Sequence, residues 1–176
     1  MRRALRPLLL GALLTGGAVL AQAQQQELPG RWELTQFDPS GVTGDSQSAL
    51  WLEAEGRILN PEPSDPHAVR VLPVLSIQCR NATPDFFLKL NFEAPSGSVA
   101  VSYSLDGGPP MQATWQPRDD ATALAPDDKV DFVRALEGKN RLDLTLTFPD
   151  AEPTSTSFDL TGIDAALAKL RPACTW

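Results

Sequence analysis

Chemistry that needs a histidine base has a single candidate in this sequence, because His67 is the only histidine. A Ser-His-Asp or Cys-His arrangement requires a histidine held beside the nucleophile. His67 follows Asn60–Pro66, whose three prolines predict an exposed loop. No Gly-x-Ser-x-Gly motif accompanies it. We therefore expect a solvated histidine, no catalytic residue and no enzymatic activity.

Acidic pairs at residues 119–120 and 127–128 are the next candidates for chemistry. A calcium loop needs alternating oxygen ligands and a glutamate at its twelfth position, and that spacing is missing. Carboxylates can also act on glycans as acid and base. These aspartates lie in predicted turns and caps, where local hydrogen bonds explain them. The turn at residues 106–110 lacks the helix and the lysine of a phosphate-binding loop. Because these patterns are missing, we expect no metal and no cofactor.

Cys79 and Cys174 are the two cysteines of the chain, about 95 residues apart. In an exported protein such a pair predicts one disulfide, and two free buried thiols are the alternative. The bond would tie the C-terminal tail to the middle of the chain, where Trp176 could close over the junction. Loop closure of this length predicts a stabilisation of about 4–5 kcal/mol.

Residues 1–23 have the form of a secretory signal peptide: a basic start, an apolar run from Leu8 to Leu20, and Ala21-Gln22-Ala23. The run is shorter than the about 20 residues of a spanning helix, although an uncleaved anchor is the alternative. Cleavage leaves residues 24–176, which we expect to form one periplasmic domain without a membrane span. That domain has 12 basic and 22 acidic side chains, a charge of −10 that disfavours nucleic acid as a partner.

Alternation of apolar and polar residues predicts a mainly β protein, an antiparallel sandwich or curved sheet of about eight strands. The clearest strand covers residues 141–148. We expect its alternate residues to share one core with those of two earlier strands: Leu142, Leu144, Leu146, Phe148, Leu88, Leu90, Val101 and Tyr103. Other strands are predicted at residues 31–37, 49–55, 74–79, 111–115 and 156–160.

Two short helices are predicted late in the chain. The first follows a polar loop at residues 117–128, begins with Asp127 or Asp128 as N-cap, and ends at Gly138. The second begins with a capping box formed by Thr161 and Asp164. Its apolar stripe comprises Ile163, Ala166, Leu167 and Leu170, and Pro172 ends it.

Three motifs of the second half are the most specific: Cys79-Arg80 with Thr83, Phe158-Asp-Leu-Thr-Gly162, and the terminal Cys174-x-Trp176. Together they resemble the VasI/TagO family of envelope proteins associated with type VI secretion. The resemblance covers about residues 75–176, with weaker support from residues 32–53. It implies a periplasmic accessory role in assembly or regulation of the secretion apparatus, and it implies no catalytic residues.

The resemblance also suggests binding residues. It matches Cys79 and Cys174 to the family's cysteines, Asp106 to an acid after the tyrosine-containing strand, and Trp176 to the closing motif. Ser104 departs from the arginine that members often carry, which puts a shared contact there in doubt. We predict Arg80, Asp106 and Trp176 as binding residues. Arg80 is the first choice, because it directly follows the disulfide-bonded Cys79 and its guanidinium stays charged. The alternative is that Arg80 has a structural role, as a local salt bridge or as a cap on backbone carbonyls.

Envelope or secretion-system proteins are the expected partners. The alternative is a ligand-binding or inhibitory module that acts on envelope glycans or enzymes. A groove lined by exposed aromatic residues such as Trp51 or Phe87 would favour this alternative, whereas a flat apolar patch beside free edge strands would favour the accessory role. The sequence indicates no oligomeric state.

Overall fold

The computed structural model describes residues 28–37, 47–60, 70–80, 82–118 and 121–174. Within them the elements follow one another as eleven strands and two helices. They are β1 Glu33–Phe37, β2 Gln47–Glu53, β3 Ile58–Leu59, β4 Arg70–Val71, β5 Val74–Arg80, β6 Thr83–Lys89, β7 Val99–Leu105, β8 Met111–Pro117, β9 Ala123–Pro126, α1 Lys129–Leu136, β10 Arg141–Thr147, β11 Thr154–Asp159 and α2 Ile163–Leu170.

Nine of these described strands form one antiparallel sheet in the order β1-β2-β5-β6-β9-β8-β7-β10-β11. Strands β3 and β4 form a separate two-stranded sheet. The mainly β class, the antiparallel pairing and the two late helices are as predicted. The strand number is higher than the predicted eight because β3, β4 and β9 are too short for alternation to reveal them.

Strand β9 lies in a segment that we predicted to be a polar loop, and that prediction is wrong for residues 123–126. All four of its residues are buried. Leu124 pairs with Leu88 on one side, and Pro126 pairs with Trp115 on the other. This four-residue strand therefore joins the two halves of the sheet, which are otherwise built from residues 33–89 and 99–159.

The inner face of the sheet carries the predicted core. Leu144 pairs with Tyr103, and Leu146 pairs with Val101. Seven predicted core residues are almost completely buried: Leu88, Leu90, Val101, Leu142, Leu144, Leu146 and Phe148. Tyr103 is only partly buried, because it lies at the margin, where its ring meets the Phe132 ring edgewise at 5.3 Å.

The last strand, β11, lies against the segment between β2 and β3. The Glu55 N–H donates to the Ser157 carbonyl at 2.8 Å, and the Thr156 hydroxyl donates to the Gly56 carbonyl at 2.6 Å. At the same seam, Gly162 adopts a φ of +85° and passes so close to Pro29 that a Cβ would collide with the Pro29 backbone. Glycine is required there for both reasons.

Helix α1 begins as predicted. The Asp128 carboxylate accepts the Asp131 N–H at 3.0 Å, which satisfies one of the free donors of the first turn. Phe132, Val133 and Leu136 are buried where the helix packs on β6 and β9. Gly138 follows with a φ of +70°, the left-handed conformation that ends helices.

Helix α2 has its predicted buried stripe of Ile163, Ala166, Leu167 and Leu170 and ends before Pro172. The predicted capping box is wrong. The N-cap is Gly162, which has no side chain to form a cap. Thr161 instead donates its N–H to the Asp159 carboxylate at 3.0 Å, and Asp164 accepts the Gly138 N–H at 2.8 Å. The tight passage of Gly162 past Pro29 moves the helix start one residue beyond Thr161.

Candidate functional site

The two cysteines are joined as predicted. Cys79 on the inner face of β5 forms a disulfide with Cys174, and their Cα atoms are 5.5 Å apart. Both residues are buried. The bond fixes the segment that follows α2 to the sheet, while α2 itself packs on β2. Its role in the described residues is to hold the C-terminal element in place.

Asp106 serves the fold directly. It lies in the turn after β7 with a φ of +51°. Its carboxylate oxygen Oδ1 accepts the N–H groups of Asn140 at 2.8 Å and Arg141 at 3.0 Å. These bonds tie the turn to the start of β10. A contact with a partner through this residue stays a prediction.

Arg80 and Trp176 belong to the same prediction. Arg80 ends β5, where its backbone pairs with Thr83. Its side chain and the whole of Trp176 lie outside the described part of the structure, as does His67. In the sheet, the strand of Arg80 is separated from the strand of Asp106 by β6, β9 and β8. The backbone of Arg80 and the turn of Asp106 therefore belong to strands that are not neighbours in the sheet.

Aromatic and charged side chains gather on the outer face of β2, β5 and β6. Trp51, Ser76 and Phe87 face one another across the three strands. The Trp51 ring meets the Phe87 ring edgewise, with centroids 6.0 Å apart. The guanidinium carbon of Arg118 lies 4.5 Å from the centroid of the Phe87 ring. This cation–π contact holds Phe87 between Arg118 and Trp51.

Asp85 anchors this group, which we call the outer-face cluster: Trp51, Phe87, Arg118, Asp85 and Lys129. Arg118 Nη1 donates to Asp85 Oδ2 at 2.9 Å. Lys129 Nζ forms a second ion pair with the same carboxylate, 3.0 Å from Asp85 Oδ1. The Asp85 side chain is only 11% exposed, so one buried carboxylate holds two partly exposed cations.

Two opposing effects set the pKa of Asp85. Burial by itself raises the pKa, because it disfavours the charged carboxylate. The contacts with Arg118 and Lys129 favour the charged form and outweigh burial, so the pKa lies below its ordinary value of 3.8. Asp85 is therefore ionised at neutral pH and fixes both cations.

An open groove of about 490 Å³, the Trp51 groove, adjoins this cluster on the same face. Trp51 and Val74 supply its apolar surface. Four charged side chains and one amide complete the lining: Arg31, Glu33, Glu53, Lys89 and Asn91. The register explains the convergence, since Glu33 lies opposite Trp51, and Val74 lies between Glu53 and Lys89.

The groove combines an apolar ring with charged and amide side chains. Within the described ranges, no three His, Cys, Asp or Glu side chains come together as metal ligands. No helix among these residues is long and apolar enough to cross a membrane. The groove presents a fixed aromatic ring surrounded by polar groups, which is the usual composition of a site for a small ligand or a peptide.

Comparison with known proteins identifies the family. A family model described as "Type VI secretion system VasI, EvfG, VC_A0118" matches residues 15–176. The chain belongs to the VasI family. Membership associates it with type VI secretion, and the match extends the resemblance found in the second half across the first strands. No curated protein matches the chain.

The fold of this VasI-family chain also occurs in a solved structure. Invasion associated protein B from Bartonella henselae is 17% identical in sequence and superposes with a TM-score of 0.53. The similarity covers 84% of this chain and 96% of that one. At this identity the comparison shows a shared fold.

Sequence reasoning named Trp51 and Phe87 as candidate groove residues but missed Asp85, Arg118 and Lys129. Asp85 belongs to β6, Arg118 directly follows β8, and Lys129 begins α1. Their meeting depends on the pairing of β9 between β6 and β8, and β9 itself was predicted to be loop. Arg118 directly after a tryptophan-containing strand was the only local signal.

Proposed function

We propose that this VasI-family protein is an exported, non-catalytic accessory of type VI secretion that acts by binding other envelope components in the periplasm. The family match over residues 15–176 carries the proposal. A signal-type N terminus supports export. The Cys79–Cys174 disulfide supports an oxidising compartment.

The outer face supports binding as the mode of action. The outer-face cluster holds Trp51 and Phe87 against each other, and Trp51 also lines the groove. Such preorganised aromatic groups are typical anchors of recognition, because little freedom is lost on contact. The proposed role in assembly or regulation of the secretion apparatus rests on the family match, whereas the Trp51 groove favours a ligand-binding module.

Deletion and affinity capture test this role. We expect deletion of the gene in a secreting strain to reduce secretion of type VI substrates, with restoration by the wild-type gene. We expect the mature protein, used as bait in an envelope extract, to capture a component of the apparatus. Unchanged secretion after deletion, together with capture of no secretion component, would contradict the proposal.

Arg80 is the proposed contact to test first, and Arg134 is a matched control. Arg134 is an exposed arginine of α1 that pairs with Asp131 within the same helix. We expect Arg80→Ala to reduce capture of the partner, whereas Arg134→Ala leaves it unchanged. Thermal unfolding separates the alternatives for Arg80. A lower Tm with full capture would assign Arg80 to a structural role.

A further inference from the structure

The Trp51 groove has the shape of a site for an elongated ligand. Its lining comes from β1, β2, β5, β6 and the residues that directly adjoin them. Those four strands are neighbours in the sheet. A groove that crosses four strands spans three strand spacings, roughly 14 Å. This length exceeds that of one sugar ring or one amino-acid side chain and suits a short chain laid across the strands.

Trp51 offers this groove a preformed aromatic surface. Phe87 contacts its ring edgewise, and Phe87 is itself held under the guanidinium of Arg118. Arg118 is bound to the buried carboxylate of Asp85. A ring supported in this way loses little conformational freedom when a ligand is laid on it. Affinity for a flat apolar surface is therefore gained at low entropic cost.

The polar groups around the ring carry both signs of charge. Arg31 and Lys89 contribute two cations, and Glu33 and Glu53 contribute two carboxylates, so the formal charge of the lining is zero. Together they offer several hydrogen-bond donors and acceptors without a field that selects an anion or a cation. This balance favours an uncharged ligand that is rich in hydroxyl or amide groups.

Main-chain recognition is closed at β2 and β5, the middle strands of the groove, while β1 is the edge strand of the described sheet. Strand β2 pairs with β1 and β5, and β5 pairs with β2 and β6, so the sheet itself uses their N–H and C=O groups. An extended peptide that adds to a sheet is held mainly by such groups at a free edge. A ligand in the Trp51 groove meets side chains instead. This favours a saccharide over an extended peptide.

We propose that the Trp51 groove binds a short, uncharged saccharide chain, with one sugar ring stacked on Trp51. A pyranose has an apolar face of C–H groups and a rim of hydroxyls. That pattern complements an aromatic surface ringed by charged and amide side chains. The inference deepens the proposed binding function, on which it rests, by naming the ligand class for the outer face.

Calorimetric titration of the mature protein with chitotetraose and cellotetraose tests the groove. Both probes are uncharged, and they differ in their N-acetyl groups. We expect saturable binding of at least one probe. Trp51→Ala should weaken this binding about tenfold or more, because the stacking surface is lost. Trp51→Phe, which keeps an aromatic ring, should retain most of it.

Met111→Ala is the matched control, because Met111 is an exposed apolar residue of β8 that does not line the groove. It should leave saccharide binding unchanged. Failure of both probes to bind, or binding that Trp51→Ala leaves intact, would overturn the saccharide proposal. Capture of a secretion protein that depends on Trp51, without saccharide binding, would assign the groove to protein and likewise overturn it. That last result would still support the accessory role in secretion. The experiment therefore distinguishes failure of the saccharide proposal from failure of the proposed function.

Discussion

At the residue scale, Asp85 connects the stability of the sheet to the geometry of its outer face. It is a buried carboxylate beside two cations, one of which lies against Phe87. Buried charges are tolerated when they are paired, and removing one partner leaves the rest unsatisfied. The positions of Arg118 and Phe87, and through them Trp51, therefore depend on Asp85.

Asp85→Asn should lower the free energy of unfolding by about 1–3 kcal/mol, because the amide cannot satisfy two cations. The loss is kept modest by the partial exposure of Arg118 and Lys129, which can regain water. Urea denaturation measures the change. Asp131→Asn, which breaks an exposed pair with Arg134 in α1, is the control and should cost less than about 0.5 kcal/mol.

Asp85 should also make stability depend on acid. Its pKa is lower in the folded protein than the ordinary value of 3.8, so the unfolded chain takes up a proton first as pH falls. The stabilisation is fully present above pH 3.8 and is lost as the pH falls through the folded pKa. Denaturation curves between neutral pH and pH 3 should show a smaller loss for Asp85→Asn than for the wild type. Equal losses would contradict this assignment.

Gly162 is the second residue whose role the structure explains. Gly162→Ala should lower the free energy of unfolding by at least about 1–3 kcal/mol. The alanine would have to adopt a strained positive φ, and its Cβ would collide with Pro29. Gly107→Ala separates the two causes. Gly107 has a φ of +70°, yet a Cβ there would meet nothing within 4 Å. Thermal unfolding should show the larger loss at Gly162; equal losses would mean that the close approach costs nothing.

At the scale of elements, the disulfide holds α2 and its following segment against the sheet. Replacing both Cys79 and Cys174 by alanine should cost about 2–5 kcal/mol, since the bond closes a loop with a sequence separation of 95. Amide hydrogen exchange should accelerate first in α2. Full protection of α2 in the variant would show that packing of Ile163, Ala166, Leu167 and Leu170 suffices without the bond.

Strand β10 tests the assignment of inner and outer faces. Leu144→Ala should cost about 2–5 kcal/mol, because it opens a cavity beside a fully packed core. Thr145 is the neighbouring residue on the outer face, where its hydroxyl bonds to that of Ser155 at 2.8 Å. Thr145→Ala should cost about 1 kcal/mol or less. Denaturant unfolding of both variants makes the comparison.

At the scale of the whole molecule, the N-terminal sequence predicts export. We expect the chain to lose residues 1–23 and to begin at Gln24, because a basic start and an Ala-x-Ala site are both present. N-terminal sequencing and the intact mass of periplasmic protein measure this. Full-length protein in the cytoplasm would contradict the prediction.

The sequence by itself determined the class of fold and its core. Alternation over residues 141–148 identified a strand and its buried face, since strand side chains alternate with period two. The acidic pair at residues 127–128 and Gly138 marked the ends of α1, because capping is a local interaction, and the structure selected Asp128 as the N-cap. The presence of two cysteines predicted the disulfide that joins them. The three motifs of the second half indicated the VasI family.

Only the tertiary structure decided where the candidate site lies. Asp85, Arg118 and Lys129 meet because β9 pairs between β6 and β8, and a four-residue strand has no detectable period. The Trp51 groove likewise depends on register, which sets Glu33, Val74 and Lys89 around it. The capping box failed for the same reason, since Gly162 is placed by its contact with Pro29, which is distant in sequence. Local patterns specify elements, whereas sites of this kind arise from contacts between residues that the chain keeps far apart.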